Sequence, residues 1–453
     1  MIQCPGCGGA LRFDIPTQLM MCDHCGGTYD PASTATMNKD ANGRKMFDTY
    51  VFTCPSCGGE LLTTDQTDAV GFCPFCGGAS MLYDRIHRQW EPEYIIPFQI
   101  TKEQCKELYV KEAKRSVFTS RKYRDPQLIE SFRGIYMPYW VYQALQVGEF
   151  SLEGEKKGAF TVSSYRVTGN IDVQLDGYGH DASKEFDDRI SEHIAPFDPH
   201  GHKPFAPGYL SGFYADVGDV NAHQYDKKAI DAMSEDTARL LSQQNAVVRP
   251  DGGLRKIRIF PQKAQIPTSV TSAQRTLYPV WFMSYRNKDK ITYAAVNGQT
   301  GKVSADLPVS PWKILLTVLI VGAAIAASLF FLPSVKANWT LAASALLLVI
   351  GSIILHVAFN RVVNEETGLN KTEEAVRFKK RDIWRRILVI VSAVIAFVTA
   401  FIDPAYNIIS YAGCLLMAAQ LFWIMLSHIR FQAEIAKRRP PQFNKKGAAY
   451  DEE

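Results

Sequence analysis

The chain has 453 residues, with 50 Lys and Arg against 46 Asp and Glu, 10 cysteines and 47% hydrophobic residues. A net charge of +4 over this length gives no bulk argument for nucleic acid or an anionic surface, and the composition excludes a disordered chain. The average hides a split: residues 1–310 are polar, whereas 312–427 hold apolar runs long enough to cross a bilayer, which excludes a purely soluble chain.

No basic start followed by an apolar run opens the chain, so the N-terminus is expected in the cytoplasm. Eight cysteines then fall in four Cys-x-x-Cys pairs: Cys4/Cys7 with Cys22/Cys25, and Cys54/Cys57 with Cys73/Cys76. Gly-Gly follows every pair. Two thiolates two residues apart grip one metal from a tight turn, and glycine supplies the left-handed backbone that turns amides toward sulfur. Two such knuckles close a tetrahedral S4 site, and the stretches 11–21 and 61–72 suit β-hairpins. The expectation is two zinc ribbons, 1–35 and 51–85, joined by a linker, 36–50, with two Zn2+ per chain. A disulfide framework needs an oxidising compartment, which no export signal supplies. A redox Cys-x-x-Cys occurs once in a βαβ setting, not four times. Spacing alone does not separate zinc from rubredoxin-like iron; with no electron-transfer motif nearby, zinc is favoured. Four thiolates leave no open position, so both sites read as structural.

Residues 86–310 read as a soluble α+β domain. Thr101–Arg124 is an expected amphipathic helix with Thr101 as N-cap, and its basic residues Lys106, Lys111, Lys114, Arg115, Arg121, Lys122 and Arg124 read first as a solvated face. Strands are expected at 141–153, 159–178, 254–260 and 291–303, and a helix at 226–244. Gly134–Tyr142 and Thr276–Tyr285 resemble each other and read as aromatic core strands. Cys105 and Cys414 read as packing residues. His180, Asp181, Asp187, Asp188, His200 and His202 form a polar cluster in the sequence, read first as a loop and second as a further metal site.

Several stretches carry a family resemblance: the ribbons, Gly134-Ile-Tyr-Met-Pro-Tyr-Trp140, Asp181-Ala-Ser-Lys184 leading to Ile194-Ala-Pro-Phe-Asp198, Pro207-Gly-Tyr-Leu-Ser-Gly-Phe213, and Val296-Asn-Gly-Gln-Thr-Gly-Lys-Val303. Up to the first apolar run the chain resembles bacterial membrane-anchored double zinc-ribbon proteins, described as transcription-factor-IIB-type. The resemblance implies a membrane platform that recruits flotillin-like (SPFH) or phage-shock-protein-A-like partners in envelope stress.

Four apolar runs are expected to span the membrane as two hairpins: 312–332, 339–359, 384–402 and 406–427, within a region 311–430. Trp312, Trp339, Trp384, Tyr406 and Trp423 are interfacial anchors. Basic residues crowd the loop between the second and third runs and the tail 431–453, so the positive-inside rule places both termini in the cytoplasm of a multi-pass cell-membrane protein. Trp312 and Trp384 are spaced like His356 and His428, which suggests a duplicated hairpin. The middle thirds of the runs lack Asp, Glu, Lys and Arg, which favours an anchor over a transporter.

The overall expectation is a multidomain chain: two small β zinc ribbons, an α+β domain and an all-α four-helix transmembrane region. No His-Glu-x-x-His, Gly-x-Ser-x-Gly or P-loop is present, so a non-enzymatic adaptor is expected. The alternative is a membrane-tethered nucleic-acid binder. Against it, Met1–Asp30 has a single Lys or Arg, Arg12, beside Asp14, Asp23 and Asp30, and Thr53–Tyr83 has none beside Glu60, Asp65 and Asp68. Each Zn(Cys)4 adds about −2 formally, a potential that repels phosphate. Phe72, Phe75 and Met81 are expected to be exposed for a protein partner.

Overall fold

The computed structural model describes residues 2–34, 45–64, 72–79, 81–115, 119–157, 161–183, 188–216, 218–243, 264–287, 290–308, 337–366, 373–402 and 407–435, with 186, 247–248, 254–255, 258–259, 310, 312–313, 316 and 320. They form two compact units, one of 1–110 and 126–305, the other of 111–125 and 306–439.

The first unit opens with a three-stranded sheet, β1 (Leu11–Asp14), β2 (Leu19–Cys22) and β3 (Thr28–Tyr29), in that order. Leu11 pairs with Cys22 and Asp14 with Leu19, so the hairpin carries the first knuckle toward the second. Asp14 accepts from the Thr17 amide and hydroxyl at 3.1 and 2.7 Å, and Gln18 takes the left-handed position of the turn at φ 58°.

The second ribbon follows as β4 (Met46–Thr53), β5 (Glu60–Thr63) and β6 (Leu82–Trp90). It does not stand alone. These strands enter a twelve-stranded sheet with β7 (Tyr94–Ile95), β8 (Arg133–Lys157), β9 (Val162–Asp181), β10 (Lys203–Pro204), β11 (Tyr214–Asp216), and, after the separate pair β12 (Val247–Val248) and β13 (Leu254–Arg255), β14 (Arg258–Ile259), β15 (Thr268–Asn287), β16 (Lys290–Asn297) and β17 (Val303–Ala305). The main path runs β10-β7-β15-β8-β11-β5-β4-β6. The short β11 is the splice: Ala215 pairs antiparallel with Leu62 of β5 and parallel with Tyr136 of β8.

The two similar aromatic segments are neighbours in this sheet. Gly134 faces Trp281, Tyr136 faces Pro279 and Tyr139 faces Thr276 across β8 and β15. Tyr136, Tyr139, Tyr142, Tyr278, Val280 and Trp281 are all buried, as expected of core strands. Alternate side chains of β8 and β15 reach opposite faces of the sheet. Ile135, Met137, Tyr139 and Val141 share one core cluster with Val280 and Phe282.

The helices of this domain are α1 (Lys102–Arg115), α2 (Pro126–Ile129), α3 (Asp188–Ile194) and α4 (Asp226–Gln243). Thr101 caps α1 as expected: its hydroxyl accepts from the Gln104 amide at 3.2 Å, and the Gln104 side chain accepts from the Thr101 amide at 2.9 Å, a reciprocal box. The expected helix to Arg124 is shorter. It ends at Arg115, and Arg121–Arg124 form a separate 3-10 turn whose Arg124 donates to the Ala113 carbonyl at 2.6 and 3.1 Å. That guanidinium satisfies a carbonyl of the last helical turn from outside the helix. The expected strand 291–303 divides into β16 and β17 around a turn in which Asn297 Oδ1 accepts two amides, from Gln299 and Thr300.

In the second unit, α5 (Ala337–Glu366), α6 (Glu373–Ile402) and α7 (Asn407–Ile435) pack through Leu341, Ala345 and Leu348, through Val389, Ala393, Ala396 and Ala400, and through Met417 and Ile424. Small residues let the backbones approach closely. Asp382–Ile402 and Ile408–Phe431 are long and apolar enough to cross a membrane, and α5 holds a shorter apolar stretch, Trp339–Ile353. The expected run 312–332 lies, but for 312, 313, 316 and 320, outside the described residues.

Candidate metal centres

Each ribbon brings its four cysteines together. Cys4 and Cys25 sulfurs lie 3.6 Å apart, Cys7 and Cys22 3.5 Å; Cys54 and Cys76 lie 3.6 Å apart, Cys57 and Cys73 3.7 Å. Within each set, all four sulfurs fall within 4.8 Å of one another. A disulfide requires about 2.05 Å, and all ten cysteines are free thiols. A metal with bonds of about 2.3 Å to four sulfurs holds them about 3.8 Å apart. The donor sets therefore fit two tetrahedral thiolate-bound metal ions.

The backbone explains why the motif closes on itself. In all four knuckles the first cysteine's carbonyl accepts from the first glycine's amide, and its amide donates to the second glycine's carbonyl, at 2.7–2.9 Å. The first glycine has positive φ each time: 73° at Gly8, 71° at Gly26, 79° at Gly58 and 65° at Gly77. The second glycine leaves room for sulfur: a Cβ at Gly78 would lie 3.2 Å from Cys76 Sγ, and one at Gly9 3.2 Å from Cys22 Sγ.

The two sites differ in their surroundings. In the first, Cys7 and Cys25 are exposed. The Tyr29 hydroxyl lies 3.4 Å from Cys4 Sγ, and this contact draws the Cys4 thiol down to about 6 while pushing the phenol up. In the second, all four cysteines are buried. Cys54 is drawn down by the thiols of Cys57, Cys73 and Cys76, while Cys73 is pushed far up by Cys54 and Cys57. Four thiolates cannot share this enclosed space without a cation to offset their repulsion.

The first ribbon docks on the sheet domain through the Pro207–Phe213 segment. Phe13 packs edge-on against Tyr209 and Phe213, with centroids 5.4 and 6.4 Å away. The Phe13 amide donates to the Ser211 carbonyl at 3.0 Å, and Gln18 Nε2 donates to the Phe98 carbonyl at 2.8 Å. Gly208 sits where a Cβ would lie 2.7 Å from Met20 Sδ and 3.0 Å from the Pro31 backbone. The other resemblance-carrying stretches are also latches. Asn297 Nδ2 donates to the Ile194 carbonyl at 2.9 Å, and Gln299 bonds both backbone groups of Asp198.

Three expectations about the site need revision. Phe75 and Met81 are not exposed; at 1% and 6% they belong to the main core, where Phe75 packs near Phe282 and its carbonyl accepts from Tyr293 Oη at 2.6 Å. Fusion of the second ribbon with the sheet turns its apolar face inward. Phe72 is half-buried under the Arg133 guanidinium. The exposed large apolar residues beside this ribbon are Leu82, Tyr83 and Ile86 of β6.

Among the described residues, the side chains of the polar cluster do not converge on one point. His180 stacks on Tyr225 at 3.8 Å and meets Lys228 Nζ at 2.7 Å, His200 bonds Asp198, and His202 meets the Tyr278 hydroxyl. Asp187 lies outside the described residues, and the side chain of Asp188 is not described. Among the described residues only the two cysteine sets form metal-holding groups. Of the basic residues near α1, Lys106 pairs with Glu130 at 2.6 Å, joined by Lys102 at 2.7 Å, and Arg115 pairs with Glu112. The two lysines hold the Glu130 carboxyl down at about 2. Cys105 is buried on α1 and Cys414 packs among α5–α7, as expected.

One group was missed in the sequence. Asp382, just ahead of the third expected span, has His356 Nδ1, His428 Nε2 and Arg386 Nε each 3.4 Å from its carboxylate. The equal spacing of the two histidines was the available signal.

The fold and site define a class: a sheet-rich domain with two tetracysteine centres, on a chain with C-terminal helices of which two reach bilayer length. Within that class the chain is similar to a protein of Bacillus subtilis (strain 168), the uncharacterized protein YdjG, at 26% identity over 320 residues, covering 69% of this chain and 91% of that protein. No family model matches the chain, and no solved structure does.

Proposed function

We propose that this chain is a non-enzymatic membrane adaptor, in which four transmembrane spans hold a cytoplasmic platform of two zinc ribbons and a sheet domain that recruits protein partners. The observation that carries the reading is the outward apolar surface of α6 and α7. Only 17% of the most apolar stretch of each helix is buried, whereas a core helix of a soluble protein is mostly covered. Ile390, Val394, Phe401, Ile408 and Leu415 all face outward. The basic loop between the second and third runs and the basic tail support cytoplasmic termini, which agrees with zinc held by reduced thiols.

Protein is favoured over nucleic acid as partner. Arg12, the first ribbon's one Lys or Arg, is paired with Asp23 at 3.5 Å, and Lys102 and Lys106 of α1 share the carboxylate of Glu130. Tyr83 and Ile86, on one face of β6, offer an apolar contact beside the second ribbon. The family resemblance supports SPFH/flotillin-like or phage-shock-protein-A-like partners and a role in envelope stress.

The test is purification of the full chain from carbonate-washed membranes, beside an Ile86→Asp variant. The chain should resist the wash, and the variant should keep two zinc ions while losing co-purified protein at least tenfold. Extraction by carbonate would remove the membrane reading. Sub-micromolar DNA or RNA binding at physiological salt, lost steeply as salt rises, would replace the adaptor with the nucleic-acid binder.

A further inference from the structure

Among the described residues strand β9 has one neighbour, β8. It pairs with β8 in an unbroken ladder from Lys157↔Val162 to Gln143↔Asp176, where the register shifts at Gly177. Among the described residues no strand lies along its other side. A long open edge presents a row of backbone donors and acceptors, and proteins usually blunt such edges with Lys, Pro, bulges or short length. The stretch Val162–Asp176 has neither Lys nor Pro, and at about 3.4 Å per residue it runs roughly 50 Å.

We propose that this edge is the interface with a second copy of the chain: β9 pairs antiparallel with β9 of the other copy, about a two-fold axis at Gly169. The sequence of the strand is self-complementary in that register. On one face Arg166 meets Asp172 of the other copy, twice by symmetry, and Thr168 meets Asn170. Arg166, Asp172 and Asp176 make no ion pair among the described residues. On the other face Val167 meets Ile171 and Tyr165 meets Val173, which is 40% exposed. Val167 and Ile171 already pack against the cluster of Leu152, Ala238 and Ile266, so pairing would carry an existing apolar layer across the axis.

Gly169 suits the axis. A Cβ there would lie 3.0 Å from the Phe150 ring, which covers the glycine from β8. The axis is also the midpoint of the regular ladder, so the whole of Val162–Asp176 is paired. An axis at Ile171 would set Arg166 against Asp176 but leave Val162–Tyr165 unpaired. A one-residue slip would set Arg166 against Ile171 and mix the two faces.

Sedimentation equilibrium of the full chain in density-matched detergent tests this. The wild type should be a concentration-dependent dimer. Asp172→Arg should raise the dissociation constant at least tenfold while keeping two zinc ions. The double exchange Arg166→Asp with Asp172→Arg should restore it, because each strand then again offers opposite charges to its copy. A monomer at every micromolar concentration, a dimer indifferent to Asp172→Arg, or a double exchange that fails to restore the dimer overturns the proposal; the last would point to a strand from another protein. Amide exchange on the wild type reads the same edge without a variant. Protection within 163–175 should fall as dilution dissociates the dimer, and protection independent of dilution overturns the pairing.

Discussion

The two ribbons share one motif and differ in what surrounds it. Both close with the same glycine geometry and the same sulfur spacing, yet Cys7 and Cys25 face solvent while all four cysteines of the second set are buried. The first ribbon is a small sheet resting on a neighbouring surface through Phe13 and Gln18. The second has its hairpins spliced into the main sheet by β11, and its cysteines lie in the same cluster as Ile135, Tyr278 and Phe282. A metal site can therefore be an appended module or a piece of the core, with no change in its ligands.

The comparison breaks most sharply at Cys73. Cys73→Ser removes a ligand from a site inside the core. A structural zinc contributes about 10–16 kcal/mol in small peptides, against about 5–15 kcal/mol for a whole domain. The variant should lose the cooperative unfolding transition of the sheet domain, seen in near-ultraviolet circular dichroism from Trp140 and Trp281. A native signal with one zinc lost would show that the second site is as separable as the first.

Cys25→Ser should do less. Zinc should fall from two to one per chain, while the near-ultraviolet signal and the main transition persist, because β1, β2 and β3 form a sheet separate from the main one. In the wild type a chelator should remove the same metal first, in a fast phase of one zinc per chain. Loss of both metals together, in either experiment, would join the two sites into one folding unit.

The smallest effect sharpens the contrast at a single backbone position. Gly8 and Gly77 have nearly the same φ, 73° and 65°, but a Cβ at Gly8 meets nothing within 4 Å, whereas one at Gly77 would lie 3.1 Å from Arg286 Cβ. Left-handed backbone costs a non-glycine residue about 1–2 kcal/mol. Gly8→Ala should lose about that much, read as faster zinc release from the first site. Gly77→Ala should lose more, read as a lower main unfolding midpoint. Equal losses would mean that β15 yields freely around the knuckle.

Much of this was legible because its causes are local. The capping box at Thr101 and Gln104 is read within one helical turn. The aromatic segments at 134–142 and 276–285 announce buried strands by composition, although only the register shows that they are partners. The end of α1 was not legible. Lysines and arginines continue beyond it, and the Arg124 contact with the Ala113 carbonyl is a tertiary one. Asp382 was missed for a similar reason: a lone acid ahead of an apolar run gains meaning only when His356 and His428 arrive from other helices.

The sequence by itself determined the ligands of both centres and the apolar runs of α6 and α7. Each follows from short-range chemistry: two sulfurs one turn apart beside a left-handed glycine, and about twenty apolar residues at 1.5 Å each. Only the tertiary structure decided that the second ribbon is core and the first is not. Leu62 of β5 pairs with Ala215, and Phe75 is covered by Phe282 and Tyr293. Those partners come from distant parts of the chain, and nothing in the spacing around a knuckle records which surface will cover it.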